Sequence, residues 1–256
     1  MSTQKIVILT IDVGNTSTKM AVFSDNVCLH FERINELNVA LLNRWIRQYD
    51  VEAISYSASG NDVEEIVEYI EAFENYIFLS ALSPMPIEIA YKTPETLGKD
   101  RIAAVLGAYA LFPKQHVVVI DLGTCITYEV LSADGVYLGG NIAPGMQMRL
   151  QSMHDYTAKL PLVGFESVTH WIGQSTNEAI KNGAILGTQM EIESFIGRVK
   201  KLFGPNPHEL DDVQLILTGG DAAFMYNALQ ENLQTKIHLE PQLIHIGLNA
   251  LMHYNL

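Results

Sequence analysis

Cysteine is nearly absent: Cys28 and Cys125 are the only two in 256 residues, they lie far apart, and no CxxC pair occurs. That excludes a disulfide framework and favours a reduced compartment. Cys125 is expected to pack as a small apolar side chain. Basic residues are also scarce, with 16 Lys and Arg against 29 Asp and Glu and a net charge of -13. Nonspecific binding to DNA or to an anionic membrane needs a basic surface, so neither nucleic acid nor membrane is expected as a partner. No apolar run approaches the roughly 20 residues that span a bilayer; the longest is Ile102 to Phe112. Met1 to Lys5 is polar and leads directly into a strand, so no secretory leader is expected and the chain reads as soluble and cytoplasmic. The eight histidines form neither HxxxH nor a His/Cys cluster, which sets aside a transition-metal site. Neither GxGxxG nor GxxxxGK[ST] occurs, which weakens Rossmann and P-loop readings.

What is present is a phrase that occurs twice. Ile6 to Phe23 reads IVILTIDVGNTSTKMAVF, and His116 to Leu131 reads HVVVIDLGTCITYEVL. Without gaps, Asp12 falls on Asp121, Gly14 on Gly123, Asn15 on Thr124 and Thr18 on Thr127. Each copy reads as a buried strand, an acidic residue, a glycine turn and a return strand. A lone D-x-G is an ordinary turn signal. Two in register point to a clamp for nucleotide phosphates. Glycine allows close backbone approach, and backbone N–H groups with Asn15, Thr16, Ser17, Thr18 and Thr124 can donate to phosphate oxygens. A carboxylate beside a polyphosphate requires an intervening cation, so Asp12 and Asp121 read as oxygen ligands for Mg²⁺, its waters or a monovalent ion.

Strand and helix patterns alternate through the first half, up to a buried helix at Ile102 to Phe112, and Ser80 to Thr96 reads as a Pro-bearing loop. The pattern restarts after Pro113-Lys114-Gln115, with a hairpin turn at Asp134-Gly135 and a long helix from Thr176 to Phe203. A strand enters Thr218-Gly219-Gly220-Asp221, and a helix closes the chain from Leu243. Two similar α/β domains are expected, 1–115 and 116–256, and an interdomain cleft is a usual ligand site.

D-x-G-N-T, D-x-G-T and T-G-G-D resemble the phosphate 1, phosphate 2 and adenosine motifs of the acetate kinase, sugar kinase, Hsp70 and actin superfamily. Between them stand YKTPETLGKDR (Tyr91 to Arg101), GGNIAPG (Gly139 to Gly145), TAKLP (Thr157 to Pro161) and GQSTNEAIKNG (Gly173 to Gly183). That order resembles type III pantothenate kinases over nearly the whole chain. The resemblance implies a duplicated actin-like (ribonuclease H-like) ATPase fold with two α/β domains and mixed sheets. It implies ATP-dependent phosphorylation of pantothenate, the first step of coenzyme A synthesis. By position it assigns Asp100 as the catalytic base, and Tyr91, Gly98, Lys99, Asp100 and Arg101 as pantothenate contacts. It assigns Asp12, Val13, Gly14, Asn15, Thr16, Ser17, Thr18, Lys19 and Thr124 to Mg-ATP, and Asp121 to a monovalent cation, K⁺ or NH₄⁺. Thr176 would be a substrate contact supplied by the second subunit of a homodimer.

The residue chemistry agrees, because phosphoryl transfer asks for positioning, charge neutralisation and a group that takes the hydroxyl proton. Several of these residues also have plainer readings: Asp100 as a helix cap, Thr176 as another, Tyr91 as a packed aromatic and Lys19 as a solvated surface charge. A phosphohydrolase, another small-molecule kinase or a regulatory binding protein could use the same scaffold.

Overall fold

A computed structural model describes residues 5–14, 17–59, 63–168, 170–204, 213–233 and 236–256. Contacts divide the chain into two compact units, 1–114 with 131–139 and 242–256, and 115–130 with 140–241. The linear break falls at Lys114/Gln115, beside the boundary read from the sequence, and the last helix returns to the first unit.

The first unit opens with β1 (Val7–Val13), β2 (Thr18–Ser24) and β3 (Val27–Ile34), an antiparallel meander that turns at Asp25 in the left-handed region (φ 51°). Helix α1 (Val39–Tyr49) follows; its N-cap Asn38 accepts from the Leu41 N–H at 2.9 Å, and Asp50 ends it at φ 51°. Strand β4 (Ala53–Ala58) lies parallel to β1, and β5 (Tyr76–Phe78), after α2 (Glu64–Glu71), lies parallel to β4. The sequence pattern opens helix α2 at Asn61, which lies outside the described residues. The sheet order is β3-β2-β1-β4-β5. Leu9, Ile11, Met20, Ile54 and Tyr56 bury one of its faces against Leu42 and Trp45 of α1 and Ile66 and Ile70 of α2. Each such side chain is worth about 1.5–3 kcal/mol when removed from water.

The segment read as a plain loop contains a short strand, β6 (Glu88–Ile89), and a 3-10 turn at Pro94–Thr96. A two-residue strand has too little periodicity to register in a sequence. Helix α3 (Lys99–Leu111) begins three residues earlier than the apolar run, because its first turn is polar.

The second unit repeats the arrangement with β7 (His116–Leu122), β8 (Cys125–Leu131) and β9 (Val136–Pro144), the last strand running out of the first unit. Gly135 takes φ 78° in the expected hairpin turn. Helix α4 (Met146–Asp155) was not foreseen, since only two of its residues, Met146 and Leu150, are buried and no apolar stripe announces it. Helix α5 (Thr176–Phe203) has the expected bounds, but its N-cap is Ser175, whose hydroxyl accepts from the Glu178 N–H at 3.3 Å. Thr176 is therefore the first helical residue and not the cap. Strand β10 (Val213–Thr218), helix α6 (Ala222–Leu233) and strand β11 (Ile237–Leu239) complete a sheet of order β11-β10-β7-β8-β9-β6. Apart from β6, this is the strand order of the first sheet. Domain duplication is thus visible in topology as well as in the repeated phrase. Helix α7 (Leu243–Asn255) then packs against α3, β1 and β4 in the first unit. None of the described helices is long and apolar enough to cross a membrane.

Candidate active site

The first turn joins β1 to β2, where the Gly14 N–H donates to the Ser17 carbonyl at 3.1 Å. Val13 and Thr18 are paired across it, and Asn15 and Thr16 lie outside the described residues. Asp12 is 4% exposed, opposite Lys19 on β2 and beside Ser57 on β4. Lys19 thus shares the strand face of the carboxylate, where the sequence left it as readily a solvated charge. Alternation puts Thr10, Asp12, Ser55 and Ser57 on the sheet face opposite the apolar core. Among the described residues, the buried hydroxyl oxygens of Ser55, Ser57 and Ser59 have no hydrogen-bond partner. Ser57 places a second oxygen next to Asp12, a donor set suited to a hard, hydrated cation. Sequence reading passed over these serines, although Ser-x-Ser-x-Ser inside a buried strand is itself a signal.

The second cluster of the first unit forms at the start of α3. Gly98 is the N-cap and Asp100 sits inside the first turn, its Oδ1 accepting from the Arg101 N–H at 2.9 Å. The cap reading of Asp100 is therefore corrected. A Cβ at Gly98 would collide with Asp100 Oδ1, so the glycine makes room for that carboxylate. Arg101 is 5% exposed; it donates to the Tyr137 hydroxyl at 3.0 Å and lies 5.8 Å from the centre of the Tyr91 ring. The rings of Tyr91 and Tyr137 are nearly parallel, 14° apart in plane and 6.2 Å between centres. Tyr91 is thus a packed aromatic and also a wall of the Arg101 site. Tyr137, which no motif singled out, is a partner of the guanidinium. Arginine keeps its charge when buried, so a permanent cation stands beside these two rings. A cavity of about 340 Å³ adjoins the loop, lined by Ser80, Leu82, Leu97 and Lys99 among others.

In the second unit, Gly123 and Thr124 connect β7 to β8, and the Gly123 N–H donates to the Cys125 carbonyl at 3.0 Å. Thr124 is exposed, and so is Cys125, contrary to the packing role expected of it. Asp121 pairs in register with Thr218, and Gly219 follows at φ 94°. A Cβ at Gly219 would collide with Asp121 Oδ1 and the Leu122 carbonyl. The Asp221 N–H donates to that carbonyl at 2.9 Å, and burial raises the Asp221 carboxyl above its ordinary value. Gly145 donates to the Thr124 carbonyl at 3.1 Å and likewise has no room for a Cβ. Gly145 holds the start of α4 beside the turn. Arg149 of α4 pairs with Glu191 of α5 at 2.5 Å, and Glu191 also accepts from the Tyr128 hydroxyl at 2.7 Å. Burial, and then the Glu191 contact, raise the Tyr128 phenol, so it stays a neutral donor. Thr176 is exposed in the first turn of α5.

Within the first unit, the fold builds a turn beside Asp12 and Lys19 and buries Arg101 against Tyr91 and Tyr137. Within the second, it brings Asp121, Thr218 and Gly219 together, next to the Gly123–Thr124 turn. Among the described residues, no group of three or more His, Cys, Asp or Glu side chains could hold a metal. A cation at either aspartate would therefore be completed by hydroxyl, carbonyl, phosphate or water oxygens.

The sequence profile of the type III pantothenate kinase family matches residues 8–198. A type III pantothenate kinase from Phocaeicola vulgatus is 35% identical over 250 residues, covering 96% of this chain and 98% of the relative. One from Flavobacterium johnsoniae is 38% identical over 232 residues, covering 88% and 91%. Among solved structures, a conserved putative Baf family transcriptional activator from Campylobacter jejuni superposes with a TM-score of 0.59 at 21% identity, covering 96% and 98%. A putative N-acetylmannosamine kinase from Listeria monocytogenes gives 0.57 at 15% identity, covering 97% and 98%. At such identities these two speak for the fold alone, that of the actin-like ATPases and sugar kinases.

Proposed function

Since the chain belongs to the type III pantothenate kinase family, and so phosphorylates pantothenate with ATP in coenzyme A biosynthesis, we propose the following roles for its residues. Asp100 takes the proton from the primary hydroxyl of pantothenate as that oxygen attacks the γ-phosphorus. The new O–P bond forms as the bond to the ADP oxygen breaks. Arg101, beside Tyr91 and Tyr137, binds the anionic end of the substrate or an oxygen of the transferring group. Gly98 and Lys99 complete the pantothenate contacts. Asp12, Val13, Gly14, Asn15, Thr16, Ser17, Thr18 and Lys19 hold the ATP phosphates from one turn, and Thr124 does so from the other. Asp12 would hold hydrated Mg²⁺, and Asp121 a monovalent cation, K⁺ or NH₄⁺. These ions supply charge neutralisation for the phosphates.

The observation that carries this reading is the buried, aromatic-flanked Arg101 directly after Asp100 in the first turn of α3. A fixed cation next to an available carboxylate suits an acidic hydroxy substrate. The test is a coupled assay of ADP release with and without pantothenate. Asp100→Asn should lower kcat by about 10²–10⁴-fold, the range for losing a general base. Near-normal turnover of that variant would sink the assignment.

The working unit in this reading is a cytoplasmic homodimer in which Thr176 reaches the substrate of the partner subunit. Gly183 and Gly187 support it: they are four residues apart on α5, and among the described residues nothing beyond the helix's own backbone lies within 4 Å of where a Cβ would stand. Met190 continues that side of the helix and is exposed. Sedimentation of the purified enzyme tests the dimer. Gly187→Leu should shift it towards monomer and reduce turnover together.

A further inference from the structure

Helix α7 buries Leu243, Ile244, Leu248, Leu251 and Met252, and among them His245 at 1% exposure. An imidazole there is chemically out of place, since a leucine would bury without any polar atom to satisfy. Its Nδ1 lies 2.8 Å from Thr10 Oγ1, across 235 residues of sequence. Thr10 is fully buried and gives its hydroxyl hydrogen to the Ala21 carbonyl at 3.2 Å. It therefore accepts from His245, which fixes the Nδ1–H tautomer. The ring also stands edge-on to Phe31, 5.4 Å between centres.

The bond has a location that matters. Thr10 is two residues before Asp12 on the same face of β1. At its other side, α7 meets α3 backbone to backbone. A Cβ at Gly247 would collide with the Ala103 carbonyl, and one at Gly107 with the Leu243 carbonyl. Helices in such contact cannot slide past each other without a clash. Apolar packing alone tolerates a small axial slip, because it is non-directional. A hydrogen bond of 2.8 Å does not, since a shift of one residue along a helix is 1.5 Å. Buried polar pairs often contribute specificity of arrangement where apolar residues would contribute more stability.

We propose that His245 is a positioning residue for phosphoryl transfer. Through Thr10 it sets the axial register of α7 on β1, and through Gly247 and Gly107 that register sets α3, whose first turn carries Asp100. One hydrogen bond thus ties the strand of the first phosphate turn to the helix of the base. This rests on the roles given above to Asp12 and Asp100.

The test uses the intact enzyme with ATP and pantothenate. His245→Leu, and the paired Thr10→Val/His245→Leu, should melt near the wild-type temperature or above it. Their kcat should nevertheless fall by about tenfold to a hundredfold, the cost of a misplacement of around 1 Å, with both KM values within about twofold. His245→Asn, whose amide overlays Nδ1, should recover most of kcat, whereas His245→Gln, which overlays Nε2, should not. Wild-type kcat in the apolar pair, or equal behaviour of Asn and Gln, overturns the proposal. Asp100→Asn is assayed alongside; if it keeps its turnover, the site reading falls, and the proposal with it, whatever the His245 variants do.

Discussion

The two D-x-G turns begin from nearly the same phrase and end as different structures. In the first, four residues, 14–17, separate β1 from β2, and the aspartate is buried beside Ser57 and across from Lys19. In the second, only Gly123 and Thr124 separate β7 from β8, and the aspartate lies against Gly219. The gapless match therefore ends at the glycine: Thr18 opens its return strand, while Thr127, its formal counterpart, is the third residue of β8. A longer turn with a lysine and hydroxyls offers more donors to a polyphosphate. A short turn backed by a glycine that cannot carry a Cβ offers one carboxylate in a fixed place. Duplication supplied the strand order, and the residues around each turn then set separate tasks.

The most direct way to break this comparison is to neutralise each aspartate in turn. Asp12→Asn should lower kcat/KM for ATP by about a hundredfold or more, as losing the anchor of a cation that neutralises transferring charge does. Asp121→Asn should lose only about tenfold, together with the preference for K⁺ over Na⁺ that the proposed cation role predicts. Initial rates at varied ATP in the two salts measure both, and equal losses would erase the distinction.

Backbone substitutions sharpen it further. Gly219→Ala places a Cβ against Asp121 and the Leu122 carbonyl at φ 94°. It should cost about 3 kcal/mol or more, the range for strain combined with a clash. A Cβ at Gly14 meets only the Ser17 carbonyl, at 3.1 Å. Gly14→Ala should therefore cost about 1 kcal/mol. Denaturant midpoints of the two variants decide it.

pH dependence separates the two units as well. In the first unit, burial and then the charge of Lys19 lower His245 from 6.5 to about 3. The folded pKa is depressed, so the contribution to stability is complete above 6.5 and is lost as pH falls towards 3. Its slope within that window is at most about 1.4 kcal/mol per pH unit. In the second unit, burial lowers His238 in the same direction, with Lys236 adding to it. Asp221 runs the other way: its carboxyl is raised, so its contribution is present in acid and is lost as pH rises. Melting temperatures from pH 7 to 4 should fall less steeply in His245→Asn than in the wild type. An unchanged profile would show that His245 does not titrate in this window.

Most of the fold was legible because its signals are local. Apolar runs announce β1, β4 and β7, and spacing announces the bounds of α5 and the start of α7. Helix α4 was not, since it buries two residues and is held from outside through the pairing of its Arg149 with Glu191 of α5. The candidate site divides in the same way. Asp12, Asp121 and Gly98 to Arg101 stand in motifs. Tyr137, Ser57 and His245 do not, because each matters through a partner distant in sequence, as Tyr137 does through Arg101, 36 residues away.

By itself the sequence determined the family, the duplicated α/β plan and the positions of the two motif aspartates. Turn glycines, carboxylates and strand patterns carry their meaning within a few residues. Tertiary structure alone decided what surrounds them: that Arg101 is buried beside two tyrosines, that Gly219 makes room for Asp121, and that the last helix closes on the first strand. Those facts depend on which side chains arrive at one point from far along the chain. Only packing brings them there.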